Sequence, residues 1–115
     1  MSDNRPEWTR KPWGGEWLLR STEAYAVKVL QLKGGCRTSL QYHRVKRETL
    51  FPGTGEAWLE LHNDGAVKRE LLRGPVEVPA GTVHRLLAMT DAEVVEVSGV
   101  ELDDVVRLED DYGRA

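Results

Sequence analysis

Turn signals interrupt this chain at short intervals, and they constrain its fold more than any other feature. Clusters of Gly, Pro, Asn and Asp occur at residues 14–15, 34–35, 52–55, 63–65, 74–75 and 79–81. The runs between them have the length of strands, are rich in Val, Leu and Trp, and hold no helical stripe over three turns. This spacing predicts an all-β sandwich or barrel. The predicted strands are 16–19, 25–32, 57–62, 67–72, 76–78, 83–88 and 93–98.

One hairpin is predicted with particular clarity. Ala57, Leu59 and Leu61 alternate with polar or aromatic residues, as in a strand with one buried face. The sequence Asn63-Asp64-Gly65 then separates this run from the next, and such a segment favours a tight turn between antiparallel strands. Residues 57–62 and 67–72 should therefore pair.

Length and charge limit the class of protein. The 115 residues fit a single domain over 1–115, in which the charged stretch at about 103–115 forms a tail or a cap. The net charge of −3 gives no argument for nucleic-acid or membrane partners. Cys36 is the one cysteine, and neither a signal peptide nor a membrane segment is recognisable. We therefore expect a cytoplasmic protein.

Three polar residues stand close together in the run SLQYHRVKRE, residues 39–48. Gln41 and His43 share a face if they lie on a strand. Glu48 has the wrong parity for that face, unless a tight turn near residues 44–46 places it on the next, antiparallel strand. His84 opens another predicted strand, after the turn at 79–81.

Two imidazoles, a carboxylate and an amide carbonyl could together bind a divalent metal such as Mn, Fe, Ni, Co or Zn. A single histidine in a strand is more often a hydrogen-bonded residue than a ligand. The joint spacing of the four residues favours the metal site.

That spacing resembles the two cupin motifs. Gly35, Gln41, His43, Glu48 and Gly55 match the first motif, with Gln in place of the first His. RGPVEVPAGTVH, residues 73–84, matches the second. The resemblance implies a small double-stranded β-helix, or jelly roll, with a central metal. It also implies that Gln41, His43, Glu48 and His84 are the ligands.

The match extends to the cupin module of type II phosphomannose isomerases. RKPWGGEWLL, YAVKVLQLKGGCRTSLQYH and DDVVRLEDDYGR carry the similarity from about Arg10 to Arg114. The family has Arg-x-Glu-His-Trp where this chain has Lys46-Arg47-Glu48-Thr49-Leu50. The resemblance implies a free-standing, metal-dependent sugar-phosphate isomerase that forms a homodimer. Lysine in place of arginine weakens the isomerase assignment, because it lacks the bidentate grip on an oxyanion.

Isomerisation of a phosphorylated sugar requires a Lewis acid, a base and cations for the phosphate. We predict catalytic roles for Glu48, Lys46 and Arg107. Substrate contacts are predicted for Lys28, Arg85, Tyr112 and Arg114. Lys28 shares the parity of Leu30 and Leu32, but the opposite face of its strand is also apolar. Tyr112 could contact the sugar or fix the tail to the barrel.

Two other functions fit the same residues. An iron site with vacant positions would suit a dioxygenase, and a site without turnover would suit a sugar-phosphate or small-anion binder. The tryptophans do not decide between them. Trp17 and Trp58 are expected in the core or a dimer interface, Trp13 is expected to pack the N-terminal segment, and His62 beside the hairpin turn is expected to be exposed.

Overall fold

The structure is a computed structural model that describes residues 5–115. Residues 1–4, the beginning of the predicted domain, lie outside it. Residues 5–115 contain no helix, and hence no helix that could cross a membrane. The strands are β1 (Glu7–Lys11), β2 (Gly14–Ser21), β3 (Ala26–Leu32), β4 (Leu40–Tyr42), β5 (Glu48–Pro52), β6 (Ala57–Asn63), β7 (Ala66–Leu71), β8 (Val76–Val78), β9 (Val83–Ala88), β10 (Ala92–Ser98) and β11 (Val106–Glu109).

Two antiparallel sheets make up the molecule. Sheet A has the strand order β1-β2-β3-β10-β5-β8, and sheet B has the order β11-β4-β9-β6-β7. Several neighbours in each sheet are distant in sequence, since β10 pairs with both β3 and β5, and β9 pairs with β4 and β6. The later strands β9 and β10 are therefore each held between two earlier strands.

The predicted all-β class is confirmed, and each predicted strand is present with small shifts of its ends. The β6–β7 hairpin is confirmed as well. Its register pairs Asn63 with Ala66, so Asp64 and Gly65 form a two-residue loop. Both have positive φ, 49° and 80°, as a type I′ turn requires. Strand β1 was not predicted, and β11 lies within the stretch that we predicted as a tail or a cap.

Alternation of side chains builds the core between the sheets. Leu30, Leu50 and Val94 from sheet A are buried against Leu59 and Leu86 from sheet B. The apolar cluster fills one part of the space between the sheets, and polar side chains line the rest as a cavity. Leu30, Leu50 and Leu86 belong to both, so the apolar core forms the floor of the cavity.

Candidate metal centre

The four predicted ligands converge on this cavity from three segments. Gln41 lies in β4 and His43 just after it, Glu48 begins β5, and His84 lies in β9. Gln41 and His84 are direct cross-strand partners. In addition, the Gly81 N–H donates to the His43 carbonyl at 2.7 Å, which joins the turn of the second motif to the first motif.

Our prediction for the path between His43 and Glu48 was wrong in one respect. We expected a turn that leads into an antiparallel partner strand. Instead β4 belongs to sheet B and β5 to sheet A, and no pairing between them is found within residues 5–115. The connection crosses from one sheet to the other. Glu48 therefore faces the histidines across the space between the sheets and not along one sheet.

The three ionisable ligand candidates lie close together and are buried. His84 Nε2 is 2.9 Å from Glu48 Oε1, and His43 Nε2 is 3.6 Å from the same oxygen. The ligand atoms of the three residues all lie within 4.8 Å of one another. An imidazole–imidazole–carboxylate set of this kind suits Mn, Fe, Co, Ni or Zn.

Hydrogen bonds at the far side of each ring orient both histidines. His43 Nδ1 is 2.5 Å from the Asp104 carbonyl, and His84 Nδ1 is 2.9 Å from the Thr82 carbonyl. A carbonyl only accepts, so each Nδ1 carries the proton and donates it. Nε2 of each ring then points at Glu48, which is the arrangement that metal-bound histidines adopt. His43 Nε2 is buried without a hydrogen-bond partner in the described chain, so the residues present fit a metal ion.

Glu48 remains ionised in this environment. Burial alone would raise its pKa, but the nearby imidazoles of His43 and His84 outweigh burial and hold the pKa of Glu48 well below its usual range. For His84, burial acts to lower the pKa, while the hydrogen bond and charge of Glu48 raise it. The site thus holds an ionised carboxylate beside an imidazole proton, and a divalent cation would replace that proton.

Gln41 is the weakest of the four ligand candidates by geometry. It lines the cavity with the other three. Its Oε1 accepts a hydrogen bond from the Ser39 hydroxyl at 2.6 Å. Since an amide oxygen has two lone pairs, one remains for a cation or a water molecule.

Charged side chains surround the metal ligands. The cavity has a volume of about 100 Å³, enough for a few water molecules or the reactive end of a substrate. Its ionisable lining outside the metal ligands comprises Lys11, Lys28, Lys46, Arg107, Arg114, Glu16 and Glu96. In residues 5–115, five buried side-chain atoms lack a hydrogen-bond partner, and four of them belong to cavity residues: His43, Glu48, Glu96 and Arg107. Buried polar atoms of this kind normally have a partner, so the cavity is suited to a polar ligand.

Lys28, whose orientation the sequence left open, faces the cavity. Its ammonium lies 2.7 Å from Glu16, a cavity residue that sequence reasoning did not identify. Burial acts to lower the pKa of Lys28, but the hydrogen bond with Glu16 raises it above its usual value. Lys28 is therefore a fixed positive charge in the cavity wall.

Glu96 is a second carboxyl group in the cavity that sequence reasoning missed. It is fully buried, and its Oε2 lies 3.7 Å from Lys46 Nζ, which is itself 3.8 Å from Glu48 Oε2. Burial and then the charge of Glu48 raise the pKa of Glu96 to about 8, although Lys46 acts in the opposite direction. Glu48 and Glu96 thus hold different protonation states in one cavity.

The C-terminal segment contributes two arginines to the cavity wall. Arg107 lies in β11 opposite Gln41, and its Nε is among the buried atoms without a partner in the described residues. Arg114 is held by Asp110, with Nε–Oδ2 and Nη2–Oδ1 distances of 2.8 and 3.1 Å. The charged stretch therefore combines a strand with a cap that bears cations.

Two predicted substrate contacts lie elsewhere. Arg85 follows His84, so it points to the opposite face of sheet B, where it is 2% exposed and donates from Nε to the Thr38 carbonyl. The Tyr112 ring packs against the apolar core and lies 5.9 Å from the Arg114 guanidinium. Neither residue is part of the cavity lining found in residues 5–115.

Other expectations have mixed outcomes. Trp13 is buried and lines the cavity, while Trp17 is 36% exposed and packs on Trp8 outside sheet A. Trp58 is half-buried, with Nε1 donating to Glu56 at 3.1 Å. His62 was expected to be exposed, but its Nε2 lies 2.7 Å from Glu60.

Comparison with known proteins gives a family match over nearly the whole chain. Residues 4–110 match the family model described as mannose-6-phosphate isomerase C-terminal. The chain is 33% identical over 109 residues to mannose-1-phosphate guanylyltransferase ManC of Salmonella typhimurium, covering 90% of this chain and 22% of that protein. It is 33% identical over 115 residues to xanthan biosynthesis protein XanB of Xanthomonas campestris, covering 93% and 24%. It thus spans about a quarter of the length of these relatives.

Solved structures confirm the predicted cupin fold. Oxalate decarboxylase from Bacillus subtilis, in its structure at pH 4.6, superimposes with a TM-score of 0.76 at 18% identity, covering 90% of this chain and 30% of that one. KdgF from Halomonas sp. superimposes with a TM-score of 0.71 at 17% identity, covering 84% and 90%. At such identities the likeness concerns the fold alone.

Proposed function

The chain belongs to the mannose-6-phosphate isomerase C-terminal family, and from this premise we propose that it is a metal-dependent isomerase of phosphorylated sugars. The reaction is the interconversion of an aldose and a ketose by proton transfer between C1 and C2. The observation that carries the proposal is a cavity in which a His–His–Glu cluster meets several cations and two further carboxyl groups, Glu16 and Glu96.

His43, Glu48 and His84 would hold the metal, with Gln41 beside them. A divalent metal in such a site polarises the carbonyl and hydroxyl oxygens of an open-chain sugar. The orientation of the ligands does not depend on the ion, because backbone carbonyls of Asp104 and Thr82 fix both imidazoles. The protein therefore offers a preorganised site.

Proton transfer needs a base that the metal does not occupy. Glu48 was our initial candidate, but it faces both imidazoles and is engaged as a ligand. Glu96 lies in the same cavity with an unbonded oxygen, next to Lys46. We assign Glu96 in its ionised form, whose share grows as pH rises towards its pKa of about 8, to proton transfer between C1 and C2, and Lys46 to hydrogen bonding with the oxygen that gains negative charge.

The cations of the cavity would bind the phosphate group. Lys28 and Arg114 each contact a carboxylate within the protein, whereas Arg107 Nε is buried without a partner in the described chain. Arg107 is therefore the first candidate for the phosphate, with Lys28 and Arg114 adding positive charge nearby. Arg85 and Tyr112 lie outside the cavity lining and have no part in this proposal.

ManC and XanB are about four times as long as this chain, so the guanylyltransferase activity in the name of ManC is not carried over to it. A second candidate is a binder of phosphorylated sugars without turnover. Lys46 favours it, since lysine lacks the planar, bidentate guanidinium with which arginine holds an oxyanion.

One experiment separates the two candidates. Protein loaded with Mn²⁺ or Zn²⁺ is incubated with mannose 6-phosphate or fructose 6-phosphate in D₂O, and the C1 and C2 protons are followed by NMR. Isomerisation or deuterium incorporation that stops with a chelator supports the isomerase. Line broadening or shift changes without exchange support the binder, and unchanged spectra contradict both.

We also propose that the chain forms a homodimer through the outer face of sheet A. Trp8, Trp17, Val29, Val95 and Phe51 are direct cross-strand neighbours, one from each of five adjacent strands. This apolar row spans about 19 Å at ~4.8 Å per strand. Such a continuous apolar face is typical of an interface. Light scattering should give twice the mass of the chain, and Trp17→Arg should give the monomer. A monomeric parent protein would refute the proposal.

A further inference from the structure

Asp104 contacts the metal-ligand candidate His43 and the loop that follows it. It lies in the connection between β10 and β11, outside the motifs that identified the ligands. Its carboxylate accepts backbone hydrogen bonds from Arg44 (3.0 Å), Val45 (2.8 Å) and Lys46 (2.9 Å). Its carbonyl accepts the proton of His43 Nδ1. One residue thus binds a ligand and the loop that follows it.

The loop held by Asp104, residues 44–46, lies between the end of β4 and the start of β5. It crosses from sheet B to sheet A, so its backbone leaves the pairing of β4 before that of β5 begins. Arg44 and Val45 are exposed, whereas Lys46 is buried, so its N–H needs an acceptor within the protein. Three successive N–H groups converge on the Asp104 carboxylate, and this fixes the backbone from which the buried Lys46 side chain enters the cavity.

We propose that Asp104 is a positioning residue, which holds His43 and the Lys46 loop in the geometry of the metal centre. This inference rests on the metal site of the proposed function. Two further neighbours of Asp104, Leu102 and Val105, line the cavity, and Arg107 follows in β11. Asp104 thus connects the metal-ligand candidate His43, the loop that carries the buried Lys46 ammonium, and the segment that leads to Arg107.

Asp104→Asn tests this inference, with Asp103→Asn as the matched control. The asparagine keeps the shape, but its amide nitrogen cannot accept a hydrogen bond, so at least one of the three loop N–H groups loses its acceptor. Asp103 is the exposed neighbour, and its backbone carbonyl bond to Val105 survives the substitution. Zinc affinity is measured by competition with a chromophoric chelator. We expect a loss of roughly 10- to 100-fold in Asp104→Asn and none in the control.

A second measurement separates positioning from general stability. In the metal-free proteins, imidazole ¹⁵N NMR reports which nitrogen of His43 carries the proton. The wild type and Asp103→Asn should show the Nδ1–H form, and Asp104→Asn should show a mixture. An unchanged His43 signal, together with zinc affinity within twofold of the control, would overturn the inference. If the wild type binds no zinc, the metal-dependent function fails, while the His43 spectra still decide the role of Asp104.

The wild-type protein provides a test that needs no substitution. Because coupling between two sites is reciprocal, zinc binding at His43 should stabilise the loop that Asp104 holds. Hydrogen exchange of the Arg44, Val45 and Lys46 amides should become slower with zinc, by at least several-fold. Exchange at these three amides that does not respond to bound zinc would overturn the inference even if Asp104→Asn failed to fold.

Discussion

Glu96→Gln should make the metal-free protein more stable, although it removes a buried ionisable residue. Glu96 is fully buried beside Glu48, and burial together with that charge raises its pKa to about 8 from an ordinary value of 4.5. In the folded protein at pH 7 the group therefore carries its proton and resembles glutamine in shape and charge. In the unfolded chain the same group is ionised.

The size of the effect follows from this difference in pKa. A group whose pKa is raised on folding favours the folded state below its unfolded pKa, and this contribution is lost as pH rises through the folded pKa. The interval from the ordinary glutamate pKa of 4.5 to pH 7 is 2.5 pH units. At ~1.36 kcal/mol for each unit, it corresponds to about 3 kcal/mol of unfolding free energy. Glutamine does not incur this loss. The unfolding free energy that Glu96→Gln gains over the wild type should be near zero at pH 4.5 and reach its full size above pH 8.

Urea denaturation of the metal-free proteins between pH 4.5 and 8 measures this effect. Glu77→Gln is the matched control, because Glu77 is exposed in β8, and its effect should stay within ~0.5 kcal/mol. The reasoning is refuted if Glu96→Gln destabilises the protein at pH 7, or if its effect does not change with pH. The same variant should bind metal and lack proton exchange, as expected where a functional group reduces stability.

Three further predictions concern the cavity. His84→Ala should remove bound metal and the stabilisation that metal causes, which at a metal concentration of 100 times Kd is about 2.7 kcal/mol, or roughly 10 °C in Tm for a chain of this size. His62→Ala should keep both the metal and the stabilisation, and full metal retention in His84→Ala would discard the ligand assignment. Arg107→Gln should raise KM for a phosphorylated sugar roughly 10-fold or more without loss of bound metal, since it removes a cation whose buried Nε has no partner in the described residues; an unchanged KM in steady-state kinetics would argue against the phosphate role. Lys46→Arg should preserve or raise turnover in the NMR assay if Lys46 replaces the arginine of the family, and lost turnover would count against that replacement.

Local patterns in the sequence predicted most of the strands, and the cupin resemblance implied the three residues of the His–His–Glu cluster. Turn residues and alternation act over a few positions, so the β6–β7 hairpin and the shared face of Gln41 and His43 could be inferred directly. The cupin resemblance then linked His84 to the first motif. The association of β5 with sheet A could not be inferred, because it depends on pairing with β8 and β10, far along the chain.

Glu96 was missed for a different reason. Its strand carries valine on both faces, since Val94 is buried in the core while Val95 and Val97 lie on the outer face. Alternation of apolar and polar residues therefore gives no sign of which face Glu96 occupies. Lys28 posed the same difficulty in β3, and only the register against β10, which places Glu96 opposite Lys28, resolves both.

Arg85 could have been excluded from the sequence alone. It is adjacent to His84 in a predicted strand, so the two must point to opposite faces. Asp104 and Glu16 carry no such signal, because their roles arise from contacts with residues far along the chain. Asp104 contacts residues that precede it by 58 to 60 positions, and Glu16 contacts Lys28, twelve positions later. Residues that position or neutralise others are visible only once the two sheets are assembled.

The metal centre itself is tested most directly by anomalous diffraction from crystals of the protein soaked in zinc or manganese. The account predicts one strong peak in the cavity, bonded to Nε2 of His43, Nε2 of His84 and the carboxylate of Glu48, with zinc–nitrogen distances of about 2.0–2.1 Å. Crystals that show no peak there, while His84 Nε2 and Glu48 keep their direct contact, would contradict it.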